Sequence, residues 1–412
     1  MKPIIKTTLL LALFLSITNA QAPNFKIEVS SYPANSNHWW LKHGNGGTYI
    51  SNSNISIVSE LKKNNFEYFS DFFYQKNNGF TAKELYLKYY LPKNSFIRIG
   101  KYYRDFSLYL NDNLSSGSML VSKNAEAMPK VGFVKSQKIN ENYFFNFGIS
   151  HGFFDKSGRG FDDFYPEAPF LHEKFLYLNF SNNNIDYGIG IVHEAIWGGS
   201  TKELGKQPST ISDFLKIFIS ADGEYEGGPH ANALGSHLGI WDFFIVTKNS
   251  NKKLKFYYQH FFEDTSSLRF ANKIDGLWGF EIINYIPNSS LLIEYLDTSN
   301  CCIDPPYQDD NYYSNYQYVA GWTYQNYVLG NPFIRNTAAY QELIELLHIG
   351  FNSSFNDNEF KIKISKKINE GDLIKYFSTI SKSVNDDFNL NISFFGDKKS
   401  TGLGIGLEYL FD

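Results

Sequence analysis

The chain has 412 residues, a formal charge of −4, 18% aromatic and 43% hydrophobic residues, and a mean hydropathy of −0.32. The acidic balance argues against a nucleic-acid partner, which would need a basic surface. Beyond the first residues no stretch approaches the ~20 consecutive apolar residues of a transmembrane helix, so a strand barrel is the form left for spanning a membrane. The two cysteines, Cys301 and Cys302, are adjacent, cannot build a disulfide framework and have no Cys/His cluster nearby, which leaves a loop feature as their expected role.

Met1 to Ala22 has the order of a secretory signal: Lys2 and Lys6, an apolar run from Leu9 to Leu15, then Ala20-Gln21-Ala22 as a small-x-small cleavage site. Residues 23–412 are then expected to form one outer-membrane barrel. From Tyr143 to Ser150 the odd positions are Tyr, Phe, Phe and Ile. Ile185, Tyr187, Ile189 and Ile191 alternate with Asp186, Gly188 and Gly190. Leu254, Phe256, Tyr258 and Phe262 oppose Lys255, Tyr257, Gln259 and Glu263, and Phe360, Ile362 and Ile364 alternate with Lys361, Lys363 and Ser365. Phe388, Leu390, Ile392 and Phe394 alternate with Asn389, Asn391 and Ser393. One face suits lipid and the other is repeatedly charged or amide-bearing, the pattern of an antiparallel transmembrane β-barrel rather than of a sandwich with a single shared core. At roughly 20 residues per strand and connection the chain accommodates 16, 18 or 20 strands, and we take 18.

Connections alternate between short ones, such as Pro92-Lys93-Asn94 and Pro287-Asn288-Ser289, and long ones at 104–130, 153–172, 197–235 and 298–315. The long loops are where function is expected. Ile211, Phe214, Leu215 and Phe218 recur at helical spacing after Pro208-Ser209, a short helix expected to bury its stripe against the barrel mouth or a neighbouring loop, as a lid or plug. Tyr340, Leu343, Ile344 and Leu347 repeat that spacing, although Leu346 to Phe351 equally begins a strand. The last segment puts Leu403, Ile405, Leu407, Tyr409 and Phe411 on one face, a terminal strand that must pair with the first to abolish the sheet edge. Phe411 also occupies the place of the terminal aromatic by which outer-membrane barrels are targeted, with Asp412 one residue beyond it.

Four stretches resemble the Wzi family of capsule-assembly outer-membrane proteins: His193-Glu194-Ala195-Ile196-Trp197-Gly198-Gly199, Asn232 to Asp242, Phe262 to Gly279, and Gly321-Trp322-Thr323-Tyr324 through Leu329-Gly330-Asn331-Pro332-Phe333. The resemblance implies an 18-stranded barrel with helical elements closing its outer mouth. It further implies a lectin that retains capsular polysaccharide or exopolysaccharide on the surface of a Gram-negative cell.

Sugar recognition pairs aromatic faces with carboxylates or amides. Trp197, Trp241, Trp278 and Trp322, with Glu194, His237, Asp242 and Arg269, are the candidate polysaccharide-binding residues. Trp at a strand end also serves an interfacial girdle, and Glu194, which shares the parity of Asp186, is expected in the lumen with His193 on the opposite face. Glu263, Asp264, Arg269, Lys273 and Asp275 read as a ligand-binding loop or, preferably, a salt-bridge lattice in the wall, whereas Gly198-Gly199 and Gly227-Gly228 read as turns. His151, His193, His230 and His237 accompany several serines, but no motif marks a nucleophile, nucleotide or metal site. The expectation is a monomeric, non-enzymatic protein without cofactor or metal, whose other partners are outer-membrane lipid and the barrel-assembly machinery. The rival is a sugar-selective or general diffusion porin, which differs in having an open lumen.

Overall fold

The computed structural model describes residues 24–33, 38–76, 78–223, 233–263, 265–300, 312–335, 343–369 and 374–411. The proposed leader, Cys301, Cys302, Gly227, Gly228 and His230 lie outside them. Eighteen strands form one sheet. They are β1 (Asn24–Tyr32), β2 (Asn52–Lys63), β3 (Phe66–Gln75), β4 (Gly79–Leu91), β5 (Ser95–Lys101) and β6 (Pro129–Lys138). Next come β7 (Tyr143–Phe153), β8 (Phe170–Ser181), β9 (Ile185–Trp197), β10 (Ser236–Asn249), β11 (Lys252–Phe262) and β12 (Gly276–Ile283). The last six are β13 (Ser289–Asp297), β14 (Glu345–Phe355), β15 (Asn358–Lys367), β16 (Ile374–Ser383), β17 (Phe388–Asp397) and β18 (Thr401–Phe411).

Each strand pairs antiparallel with its neighbour in sequence, and β18 returns to β1 with Phe25 opposite Phe411 and Val29 opposite Leu407. No edge remains to recruit another chain. Leu403, Ile405, Leu407 and Phe411 are exposed on the outer wall. Glu408 faces inward and holds Lys26 at 2.6 Å. The period of two has thus done on the last strand what it does everywhere in the wall: it assigns apolar residues to lipid and polar ones to the lumen.

The start of β1, the end of β18 and the short connections, such as 64–65 and 250–251, share one end of the barrel. That is the periplasmic end by the habit of outer-membrane barrels. Aromatic rings band the outer wall there: Phe180 lies 4.9 Å from Tyr143 and 4.8 Å from Tyr187, and Tyr409 lies 4.6 Å from Phe388 and 4.2 Å from Phe411. Long connections leave the opposite end. At one of them Gly198 and Gly199 turn the chain out of β9 with φ of 62° and 69°, and a Cβ on Gly199 would meet the Glu167 carbonyl oxygen at 2.8 Å, so this pair does serve a turn.

Among the described residues three short helices accompany the sheet: α1 (Trp39–Lys42), α2 (Ile211–Ile219) and α3 (Thr265–Leu268). One expectation needs correction here. Helix α2 forms where its apolar spacing placed it, but it buries its stripe on the outer wall of the barrel and not in the mouth. There the outward residues of β7 to β10 offer rings to Phe214 and Phe218. Of the two readings of residues 340–351 the strand is the one seen, with β14 beginning at Glu345; Tyr340 lies outside the described residues. The mouth is closed by α1 and by irregular chain.

Candidate functional site

Inward parity sets a row of polar side chains into the lumen: Asp242 from β10, Gln259 from β11, Glu281 from β12, Glu294 from β13 and His348 from β14, all buried. A buried carboxylate needs donors. They come from the connection between β5 and β6, residues 102–128, which folds back into the barrel. The hydroxyls of Ser107 and Tyr109 donate to Asp242, as does Tyr177 of β8 at 2.6 Å. The Met119 amide donates to Gln259 Oε1 at 2.9 Å. Asn111 donates to Glu281 at 2.7 Å, on the carboxylate that also holds Lys255 at 2.5 Å. Glu294 accepts the Ser115 hydroxyl and the Ser116 amide, each at 2.6 Å, together with the Tyr257 hydroxyl. His348 meets the Leu114 carbonyl at 2.6 Å and Ser365 at 2.7 Å. Residues 102–128 are a plug fixed to the wall from Ser107 to Met119.

Above the plug, other loops interlock. The Gly46 and Gly47 amides donate to the carbonyls of Lys123 and Asn124 at 2.7 and 2.8 Å. From the loop that follows β13, Leu329 and Gly330 supply carbonyls to Ser122, and the Tyr313 hydroxyl donates to the Met119 carbonyl at 2.5 Å. Trp39 of α1 stacks on Phe333 at 4.1 Å. Plug and loops together carry a large part of the hydrophobic core, including Leu114, Met119 and Leu120 of the plug and Tyr313, Tyr318, Trp322 and Phe333 of the loop above it. Asp275, just before β12, accepts the Asn300 amide and the Tyr312 hydroxyl, both at 2.8 Å. Burial pushes its carboxyl up to about 6, against the pull of those donors.

The eight candidate residues fall in three places. Glu194 and Asp242 are buried in the lumen; Asp242 anchors the plug, and Glu194 lies opposite Glu173 in the same pocket as Lys130. Trp197, His237, Trp241 and Trp278 face outward near the extracellular rim. Trp241 and Trp278 donate their indole N–H to the carbonyls of Leu268 and Ile274, both at 3.1 Å, and Trp278 stacks on Tyr258 at 3.7 Å. His237 meets His193 at 2.8 Å, and Trp197 packs on Phe170 and Phe214. Trp322 is buried in the loop layer, and Arg269 is exposed on the loop after β11. The structure therefore does not bring the eight together. Of the charged stretch, Asp264 lies outside the described residues; Glu263, Arg269, Lys273 and Asp275 lie on an outer loop and not in the wall, and Glu263 accepts the Tyr313 amide at 3.1 Å.

The loop between β7 and β8, one of the long connections expected to carry function, though none of its residues was singled out, presents an open aromatic surface at the mouth. Phe161 is 67% exposed between Gly160 and the exposed pair Asp162 and Asp163. Phe164 has Arg159 and Lys202 each 5.9 Å from its ring. Arg159 Nε donates to the Val319 carbonyl at 2.9 Å and the Gly160 amide to Asn326 at 3.0 Å, so the loop is tied to the closing layer. Flat rings beside cations, carboxylates and an amide match the two faces of a sugar. The signal available was the run Lys156 to Phe164, which alternates charge, glycine and phenylalanine in a loop.

The model of one family, described as capsule assembly protein Wzi, matches residues 48–347. Among solved structures, the chain is similar to Wzi of Escherichia coli, described as an outer-membrane protein involved in group 1 capsule assembly and a carbohydrate-binding β-barrel. The identity is 14%, 97% of this chain and 87% of that one are covered, and the TM-score is 0.62. Mutants of a porin from Rh. blastica are similar at 8% identity, covering 95% of this chain and 99% of theirs, with TM-scores of 0.39 and 0.40, too low to carry an argument. No curated protein sequence matches.

Proposed function

Since this chain belongs to the Wzi capsule-assembly family of outer-membrane barrels, we propose that it holds capsular or related polysaccharide on the outside of the cell without chemically altering it. The observation that carries this reading is the plug: residues 102–128 fill the lumen with hydrogen bonds to Asp242, Gln259, Glu281 and Glu294, and a polymer arriving from outside meets loops. The carbohydrate binding described for the Escherichia coli protein supports the same reading. In our proposal the polymer lies across the loop Lys156 to Phe164, with Phe161 as a stacking platform, Arg159 and Lys202 as partners for acidic sugars, and Arg269 as a further exposed contact. The rim residues Trp197, His237, Trp241 and Trp278 then belong mainly to the lipid boundary, and Glu194, Asp242 and Trp322 support the mouth from within. No residue is assigned a catalytic role. The protein acts as a monomer inserted by the barrel-assembly machinery.

The test is fractionation of a deletion strain. Glycan should move from the cell-bound fraction into the medium while the total stays near wild type. In the same strain Phe161→Ala with Arg159→Ala should fail to restore retention, while the protein still shifts on heating in detergent gels. Contacts of this kind contribute about 1–2 kcal/mol per sugar and multiply along a repeating polymer. A deletion strain that keeps all its glycan cell-bound defeats the proposal, and steady open channels of the wild-type protein in planar bilayers would establish the porin reading instead.

A further inference from the structure

Along the outer wall of β7 to β10 the side chains change character towards the extracellular end. Below are lipid-facing residues, Phe147 and Ile149, Leu176 and Leu178, Ile189 and Ile191, Phe243 and Ile245. Above them, on the same outward parity, stand His151, His172, Lys174, His193 and His237. His151 pairs with His172 across the sheet, and Lys174 with His193. A patch of imidazoles on a lipid-facing wall is costly unless something covers it. Helix α2 covers it. Phe214 packs 4.9 Å from His151, 5.5 Å from His172 and 5.6 Å from Trp197; Phe218 packs 5.5 Å from His172. Under the helix His172 is fully buried although it points away from the lumen.

The helix is held firmly. Thr210 and Asp213 form a reciprocal capping box, Ser220 ends the helix in the left-handed region and approaches His193 Nε2 at 3.1 Å, and Lys174 donates to the Phe218 carbonyl at the negative end of the helix dipole. Successive residues turn by roughly 100°, which puts Phe214, Ile217 and Phe218 on the barrel side and Ser212, Lys216 and Asp213 on the opposite, polar side. Between these two arcs runs an exposed apolar edge: Ile211 is 82% exposed, Leu215 59% and Ile219 70%. The C-terminal end of the helix is held by Lys174, two residues before Leu176 in the outward row of β8, and Leu176, Ile189 and Ile245 of that outer wall are themselves exposed.

We propose that α2 is an interfacial membrane helix, whose free edge of Ile211, Leu215 and Ile219 binds the acyl chains of the outer leaflet. The helix restores, one layer further out, the apolar surface that the histidines interrupt. Its polar side, with Ser212 and Lys216, lies towards water and headgroups, as an amphipathic helix lies in a membrane surface. This inference rests on the barrel's place in the outer membrane and is independent of the glycan reading.

The experiment places an environment-sensitive fluorophore on single cysteines at Ile211→Cys, Leu215→Cys, Ile219→Cys and Ser212→Cys. The background carries Cys301→Ser and Cys302→Ser, and the full chain is reconstituted in phospholipid vesicles. Heat-shift on gels confirms that each labelled barrel is folded. Labels at 211, 215 and 219 should emit to the blue and be quenched several-fold more by nitroxide-bearing lipid than by aqueous iodide, with the order reversed at 212. Iodide-dominated quenching at all four sites overturns the proposal. So does lipid quenching at 215 that disappears as protein is concentrated in the vesicles, which would assign the edge to a second copy of the chain.

Discussion

Ser115 donates its hydroxyl to Glu294 at 2.6 Å, joining residues 179 apart in sequence across the inside of the barrel. The same carboxylate takes the Ser116 amide and the Tyr257 hydroxyl, so one side chain of β13 holds two residues of the plug and one of the neighbouring strand. Leaving a buried donor without its acceptor costs about 1–3 kcal/mol, and Asp242 carries a comparable set. The double variant Glu294→Ala, Asp242→Ala should release the plug and produce channel openings in planar bilayers where the wild type is quiet. Openings absent from the double variant would show that the plug does not depend on these anchors.

Gly279 of β12 lies beneath the ring that serves Glu294: a Cβ there would come within 2.0 Å of Tyr257 Cζ. Gly279→Ala must displace Tyr257, with an overpacking cost of about 1–3 kcal/mol. Urea-gradient gels of the heat-modifiable form should show earlier unfolding. A midpoint equal to wild type would mean that the ring is free to move.

Asp275 sets a pH dependence whose sign is fixed. Its folded-state value of about 6 lies above the ordinary aspartate value of ~3.9, so the folded protein binds more protons in that interval. The contribution to stability is full below pH ~4 and is lost as the pH rises through 6. Relative to Asp275→Asn, wild type should therefore lose thermal stability between pH 4 and pH 6.5, read from the temperature of the gel shift. Parallel curves for the two proteins would remove Asp275 as the cause.

Phe411 stands on the outer wall with Tyr409 at 4.2 Å, in the last pairing with β1. A charge near a membrane interface costs only ~0–1 kcal/mol in a folded barrel. Phe411→Asp should then lower the amount of assembled protein several-fold while leaving the unfolding of the assembled fraction nearly unchanged. Normal surface levels would refute a targeting role for the ring.

The wall of this molecule was legible because a lipid-spanning strand has one strict rule, alternation, and Tyr187, Ile189 and Ile191 obey it without help from distant residues. Parity alone put Glu194 in the lumen and His193 outside, where the structure has them. The plug was not legible. Residues 102–128 have no period, and their structure is dictated by carboxylates of β10 to β13 that appear more than a hundred residues later. Helix α2 was visible as a stripe, but the stripe does not say which surface receives it. The deciding information was spread over four strands as His151, His172, His193 and His237. Tryptophans beside polar residues drew the site towards Trp241 and Trp278, whose indoles answer to the backbone of adjoining loops. The exposed Phe161 is a more open platform, and it had only a short charged loop to announce it.

The plug also imposes an order on how the molecule comes into being. Its sequence is synthesised between β5 and β6, yet Asp242, Gln259, Glu281, Glu294 and His348 all come later in the chain. Until those strands are in place, the Ser107 and Ser115 hydroxyls and the Ser116 and Met119 amides lack the acceptors they have in the finished barrel. Contacts of such sequence separation are slow to form. Such contacts favour an order in which the wall is laid first and the stopper seats last, and a half-finished barrel is then expected to be an open one.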